Sequence, residues 1–208
     1  MKVYYWSPFT SNIATIQAVL RSAESLSSFG SKFDPYLINS FGEWNKISGK
    51  TKHINIIDLT KISITKFLNN KGFFSSRAII IITFFYCFFK LKRLLDKDKP
   101  EFIIIHLITS LPLVLLLLFN FKTKFILRIS GYPKLNFWRK ILWKLVSNRI
   151  SLVTSPSNST LHYLVNKKIF TENKIKVLYD PIFKIREIPK LKNNNNYKFN
   201  DNYKYLIS

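Results

Sequence analysis

Apolar residues recur along this chain in two alternating rhythms: short β-branched or aromatic runs, and longer stretches with helical spacing. Lys2 to Trp6 is a strand-type run ending at Ser7-Pro8, and Asn12 to Leu26 follows with Ile13, Ile16, Val19, Leu20 and Ala23 at helical spacing. Tyr36 to Ile38 and His53 to Leu59 read as two further short strands, separated by a glycine-bearing stretch around Trp44 and Gly49. Ser76 to Leu95 has the length of a helix and no breaker; it is apolar nearly all round in its first half and basic at Lys90, Lys92 and Arg93. Pro100 then restarts the chain.

Residues 102–121 carry no charge, and 20 helical residues would span about 30 Å, enough for a bilayer. Internal punctuation favours another division. Phe102 to Ile105 is the β-branched run of a strand buried on both faces, and Thr109-Ser110-Leu111-Pro112 supplies cap-type hydroxyls with a proline near the first helical turn. The pattern therefore predicts strand, loop, then helix from Pro112, with a membrane span as the alternative.

Lys124 to Ile129 is the next strand, closed by the turn Ser130-Gly131-Tyr132-Pro133. Leu135 to Val146 predicts a helix with Leu135, Trp138, Ile141, Leu142, Leu145 and Val146 on a core-facing stripe. Ser151 to Ser155 is a strand, Pro156-Ser157 opens a helix carrying Leu161, Leu164 and Val165, and Lys174 to Tyr179 ends the series. Such alternation predicts an α/β fold, a Rossmann-like parallel sheet with helices on both faces. From Lys184 the composition becomes that of a linker, with Pro189 and the run Asn193 to Asn196, and Tyr205-Leu206-Ile207 looks like a new strand. The expected organisation is a domain over 1–183, a polar linker over 184–204, and at 205–208 the start of a second domain that is cut short.

Charge changes the picture next. The 208 residues hold 33 Lys and Arg against 11 Asp and Glu, a net +22. An anionic partner and A/T-rich codon usage, which favours Lys, Asn, Ile and Phe, both explain such an excess. Its distribution is uneven, with 17 basic and 3 acidic residues in 61–149. The single Cys87 excludes a disulfide framework or a cysteine-rich zinc site, and the start MKVYYWSPF lacks the parts of a signal peptide, so a cytoplasmic protein is expected.

In parallel α/β sheets, ligands gather at the carboxyl ends of strands, which points to the loops Ser7 to Asn12, His106 to Pro112, Ser130 to Pro133 and Ser155 to Ser159. Each is rich in hydroxyl residues that can bind sugar or phosphate oxygens, or simply cap the helix that follows. His106 ends an apolar strand at that edge and can hydrogen-bond a sugar hydroxyl or phosphate, or serve as a packed core histidine. His53 and His162 read as surface residues. No GxGxxG, P-loop or nucleophile-elbow pattern is present, no metal site is supported, and Asn158-Ser159-Thr160 carries no weight as a glycosylation acceptor in a cytoplasmic chain. On the helix from Leu135, Lys140 and Lys144 lie opposite the apolar stripe with Arg139, Phe137 and Trp143 at its borders, a face suited to an anionic membrane surface or to plain solvent. Nucleic acid fits less well, because the aromatics fall in apolar stripes.

The pieces KVYYWSPF with NIATIQAV, PEFIIIH, LRISGYP, LVTSPSNSTLHYL and IKVLYDPIF together resemble the N-terminal domain of GT-B glycosyltransferases of the retaining family 4 type. The resemblance covers about residues 1–183. It implies a domain that binds a lipid-linked or polysaccharide acceptor, with a nucleotide-sugar donor held by a C-terminal domain across a cleft. The implied acceptor and sugar contacts are Ser7, Phe9, Thr10, Ser11, His106, Ser130, Gly131, Ser155 and Ser157; no catalytic residue, cofactor or metal is assigned. Many members have a Gly-Gly pair where this chain has Thr10-Ser11-Asn12, and a histidine where it has Ser130. The expected protein is a hexosyltransferase-type half in polysaccharide assembly, inactive by itself and peripheral on the inner face of the cell membrane, with no nucleic-acid partner. A small integral membrane protein spanning near 102–121 and a non-catalytic anion- or sugar-binding module are the alternatives.

Overall fold

The structure, a computed structural model, describes residues 1–9, 14–28, 32–45, 54–60 and 73–180, with side chains described from residue 81 onward in the last of these. In chain order the elements are β1 (Lys2–Trp6), α1 (Ala14–Ser28), β2 (Asp34–Asn39), β3 (Asn55–Asp58), α2 (Phe73–Asp98), β4 (Phe102–Ile105), α3 (Ser110–Leu118), β5 (Lys124–Arg128), α4 (Phe137–Val146), β6 (Leu152–Ser155), α5 (Asn158–Asn166), a 3-10 turn (Glu172–Lys174) and β7 (Ile175–Val177). All seven strands pair in parallel in the order β3-β2-β1-β4-β5-β6-β7. The α/β sheet expected from the alternation is present.

Two apolar layers sandwich it. Strand β1 is buried on both sides: Tyr4 and Trp6 join Ile103, Ile105, Phe125, Leu127 and Val153 against Leu91 and Leu95 of α2, Leu111 and Leu115 of α3, Val146 of α4 and Leu164 of α5. Val3 and Tyr5 point the other way, with Leu37, onto Ile16, Val19, Leu20 and Ala23 of α1. Right-handed crossovers dictate this split: the β1-to-β2 step moves toward one edge, and the steps from β3 through β7 move toward the other, so their helices land on opposite faces. Among the described helices α1 alone covers its face, and there Ile104, Ile126 and Leu152, register partners on β4, β5 and β6, are only half-buried. That gap shapes the site described below.

The uncharged stretch 102–121 resolves into β4 and the nine-residue α3, and no described helix is long and apolar enough to cross a membrane. The membrane-span alternative is thereby displaced. Helix α3 begins at Ser110, so Pro112 sits inside its first turn, where its missing N–H costs nothing. Its carboxyl end is closed by Arg149, whose guanidinium donates to the carbonyls of Leu117 (2.9 Å) and Phe119 (2.7 Å) and to Asn120 Oδ1 (2.6 Å).

Helix α4 buries only part of the stripe its pattern predicts, with Leu135, Leu142 and Val146 toward the core. Trp143 and Val146 are buried, while Trp138, Ile141 and Leu145 of the expected core stripe are exposed, and Trp143 packs on Phe170 at 5.8 Å. Trp143 therefore does not belong to the outward face. The expected linker and second-domain start, over 184–208, lie outside the described residues, as do Thr10 to Ile13 and His53.

Candidate functional site

The carboxyl ends of the central strands carry a row of polar side chains that the fold buries. His106 follows β4, its backbone N–H bonded to the Trp6 carbonyl at 2.9 Å, and its ring stacks on Tyr5 with centroids 6.0 Å apart. It is 7% exposed, and neither ring nitrogen has a partner among the described residues. Arg128 ends the neighbouring strand at 5% exposure; Nη2 pairs with the Asp180 carboxylate, and Nη1 has no partner among the described residues. Thr154, the register partner of Arg128 on β6, is buried with its hydroxyl unpartnered. An unsatisfied buried polar group costs about 1–3 kcal/mol, more when charged, so three side by side mark a place that stability alone does not explain.

They line one cavity of about 420 Å³. Its floor is Ile104, Ile126 and Leu152, one wall is α1 through Ala18, Ser22, Ser25 and Leu26, and the other is Leu178, Tyr179 and Asp180 after β7. Tyr5 completes it, its hydroxyl bonded to Ser22 Oγ at 3.1 Å. Burial and the Arg128 charge lower the His106 pKa to about 3, so the imidazole is neutral at physiological pH, with one donor and one acceptor nitrogen. Burial also pushes the Tyr5 phenol up to about 12.

The loop after His106 is held in a costly shape. Ile108 adopts φ +45°, a left-handed conformation rare for a β-branched residue, and Trp6 Nε1 donates to its carbonyl at 3.2 Å. Strain of this kind persists only where surrounding contacts fix it, here beside the unpartnered imidazole.

The other expected contacts divide. Ser7 is fully buried at the end of β1 with its hydroxyl unpartnered. Phe9 is spent on packing, edge-on to Trp44 at 4.8 Å. Ser155 Oγ donates to the Ser157 carbonyl at 3.2 Å, and Ser157 caps α5 by accepting from Thr160 N at 3.2 Å, so these two hydroxyls serve local structure. Ser130 is exposed after β5 on the same sheet edge as His106, and nothing lies within 4 Å of where a Gly131 side chain would begin. Thr10 and Ser11 lie outside the described residues. Among the described residues of the expected set, His106 alone lines the cavity. Arg128, Thr154, Asp180, Tyr5 and Ser22 were not anticipated; the one available signal was Arg128 itself, a cation inside the apolar run of β5.

No group of His, Cys, Asp and Glu among the described residues could hold a metal ion. On α4, Phe137 and Trp138 are 69% and 77% exposed, and Ile141 and Leu145 lie outward beside Arg139, Lys140 and Lys144. Asn136 caps this helix by accepting from Arg139 N at 2.9 Å.

The fold is that of glycosyltransferase-like and nucleotide-sugar epimerase structures. A UDP-N-acetylglucosamine 2-epimerase from Neisseria meningitidis, solved with UDP-GlcNAc bound, matches with a TM-score of 0.57 at 14% identity over 93% of this chain and 51% of its own. A glycosyltransferase from Rickettsia africae matches with a TM-score of 0.55 at 15% identity, over 96% of this chain and 50% of its own. Anabaena HepE, solved with UDP and glucose, matches with a TM-score of 0.52 at 14% identity over 92% and 49%. The chain thus spans about half the length of each. No protein-family model and no curated protein matches the sequence.

Proposed function

We propose that residues 1–183 form the acceptor-binding half of a GT-B glycosyltransferase of the retaining family 4 type, acting on a lipid-linked or polysaccharide acceptor. The nucleotide-sugar donor is held by a second domain, beyond a polar linker at 184–204. The observation that carries this reading is the cavity at the carboxyl sheet edge, into which both His106 ring nitrogens, Arg128 Nη1 and the Thr154 hydroxyl are brought without a partner among the described residues. Sugars present hydroxyls that both donate and accept, and also apolar C–H faces. A neutral imidazole and a threonine hydroxyl meet the former; Ile104, Ile126 and Tyr179 meet the latter. In transfer the diphosphate leaving group must be stabilised as charge develops, a task this reading gives to the second domain.

The test joins the chain to the donor-binding half of such an enzyme and measures transfer from UDP-sugars. His106→Ala in that fusion should lower kcat/KM by about 5- to 150-fold, the loss of about 1–3 kcal/mol, with an unchanged circular dichroism spectrum. Turnover of a nucleotide-sugar by residues 1–208 alone would overturn the division of labour.

The exposed face of α4 supports attachment to an anionic membrane surface, through Phe137, Trp138, Ile141 and Leu145 at headgroup depth and Arg139, Lys140 and Lys144 on phosphates. Co-sedimentation with vesicles containing 30% phosphatidylglycerol, a content of about one anionic lipid in three, should be lost at high salt and in Trp138→Ser/Ile141→Ser. Equal binding to purely zwitterionic vesicles would refute it.

A further inference from the structure

Arg128 is the least explained residue of the molecule. Its guanidinium is buried, yet its sole partner among the described residues is the carboxylate of Asp180, whose side chain is 40% exposed and reaches it from 52 positions along the chain. The two ends of this ion pair stand in unequal surroundings. A carboxylate near water regains most of its hydration when it swings away, whereas a buried guanidinium left without a partner is strongly disfavoured. Exchange of partner is therefore easy from the Asp180 side and forbidden from the Arg128 side. Among the described residues its Nη1 has no partner, and neither do the Thr154 hydroxyl and the two His106 ring nitrogens that line the same cavity. The guanidinium fork matches a carboxylate or phosphate with two parallel hydrogen bonds, and here it has one arm free.

We propose that Arg128 binds an anionic group, a carboxylate or a phosphate carried on a sugar, and that Asp180 is an internal competitor which the ligand displaces. The exchange keeps the charge balance of the cavity, one anion leaving as another enters. Thr154 and His106 donate to the incoming oxygens, and the sugar ring lies over Ile126, Leu152 and Tyr179. This rests on the reading of the cavity as the acceptor site and narrows it to charged acceptors. Asp180 lies three residues past β7, on the segment that forms one wall of the cavity.

The test is calorimetric titration of the full chain with glucose, glucuronate and glucose 1-phosphate. At least one anionic sugar should bind tenfold or more tightly than glucose; which one does so identifies carboxylate or phosphate as the recognised group. Asp180→Asn should tighten that binding about tenfold by removing the competitor, a gain that partial unfolding cannot imitate. Arg128→Gln should reduce it to the level of glucose; because this variant leaves a buried site altered, Arg128→Lys, which keeps the charge but not the fork, should fall between. Equal affinity for all three sugars, or weaker binding in Asp180→Asn, would overturn the proposal while leaving the acceptor-site reading standing. Failure of all three sugars to bind would remove both.

Discussion

Replacing His106 by Gln should change the shape of the stability curve against pH, and the change can be worked from two buried groups. His106 has its ordinary value of 6.5 lowered to about 3 by burial and by Arg128. Unfolding therefore takes up a proton between those limits, and its contribution to stability is lost as pH falls from 6.5 toward 3. Glu43 does the reverse. It is buried at the end of β2, and although the N–H groups of Ser40 (2.9 Å) and Phe41 (2.8 Å) donate to its carboxylate, burial raises it from 4.5 to about 7. Unfolding releases its proton between 4.5 and 7, so its contribution is lost as pH rises through that window. Each proton changes stability by about 1.4 kcal/mol per pH unit. Between 4.5 and 6.5 the two slopes cancel, and the pair leaves the wild-type curve flat there; it falls below 4.5 through His106 and, slightly, from 6.5 to 7 through Glu43. His106→Gln leaves Glu43 uncompensated. Stability of the variant relative to wild type should then fall by about 3 kcal/mol from pH 4.5 to 6.5. Urea unfolding midpoints at half-unit intervals, for both proteins, measure the difference directly and remove the background of surface carboxylates. Glu43→Gln should give the mirror image. A difference curve for His106→Gln without slope would mean that the folded imidazole titrates normally in a wet cavity, and the burial argument would fail.

Two stability predictions concern helix ends. Lys99, directly after α2, holds φ +45° with its N–H bonded to the Leu95 carbonyl at 3.0 Å, an exposed left-handed stop; Lys99→Gly should raise stability by about 0.5–1 kcal/mol in denaturant unfolding. Arg149→Met should lower it by about 2–3 kcal/mol, because three acceptors at the end of α3 lose their donor, and thermal melting should show the drop without altered vesicle binding.

How far these features could be read from the sequence depended on how many solutions each local pattern allowed. Strand β4 and His106 at its end were legible, because the β-branched run after Pro100 with hydroxyl residues and Pro112 behind it favours strand and helix over a single long span. The orientation of α4 was not. The expected stripe ends on both sides, Val146 buried with Trp143 while Trp138, Ile141 and Leu145 are exposed, because periodicity alone cannot fix the rotation of a short helix; packing of Trp143 on Phe170 does. Arg128 shows locally as a cation closing the apolar strand β5, but its meaning depends on a carboxylate 52 residues away, which no local pattern reports. Ser155 and Ser157 were read as ligand hydroxyls, but the first turn of α5 had an equal claim on them, and it takes both.

The seam between β1 and β4 has a kinetic consequence. Val3 pairs with Pro35 on one side and with Phe102 on the other. The first pairing closes a loop of some thirty residues, the second one of nearly a hundred, and the ladders from β4 through β7 are again formed by neighbours in sequence. Loop-closure entropy grows only as the logarithm of length, but the longer loop must also carry α2 into place before either side gains from the contact. The sheet is thus two locally wound halves whose junction is made last, and a chain caught before that step would show the β1 edges of Tyr5 and Trp6 to any other strand in solution.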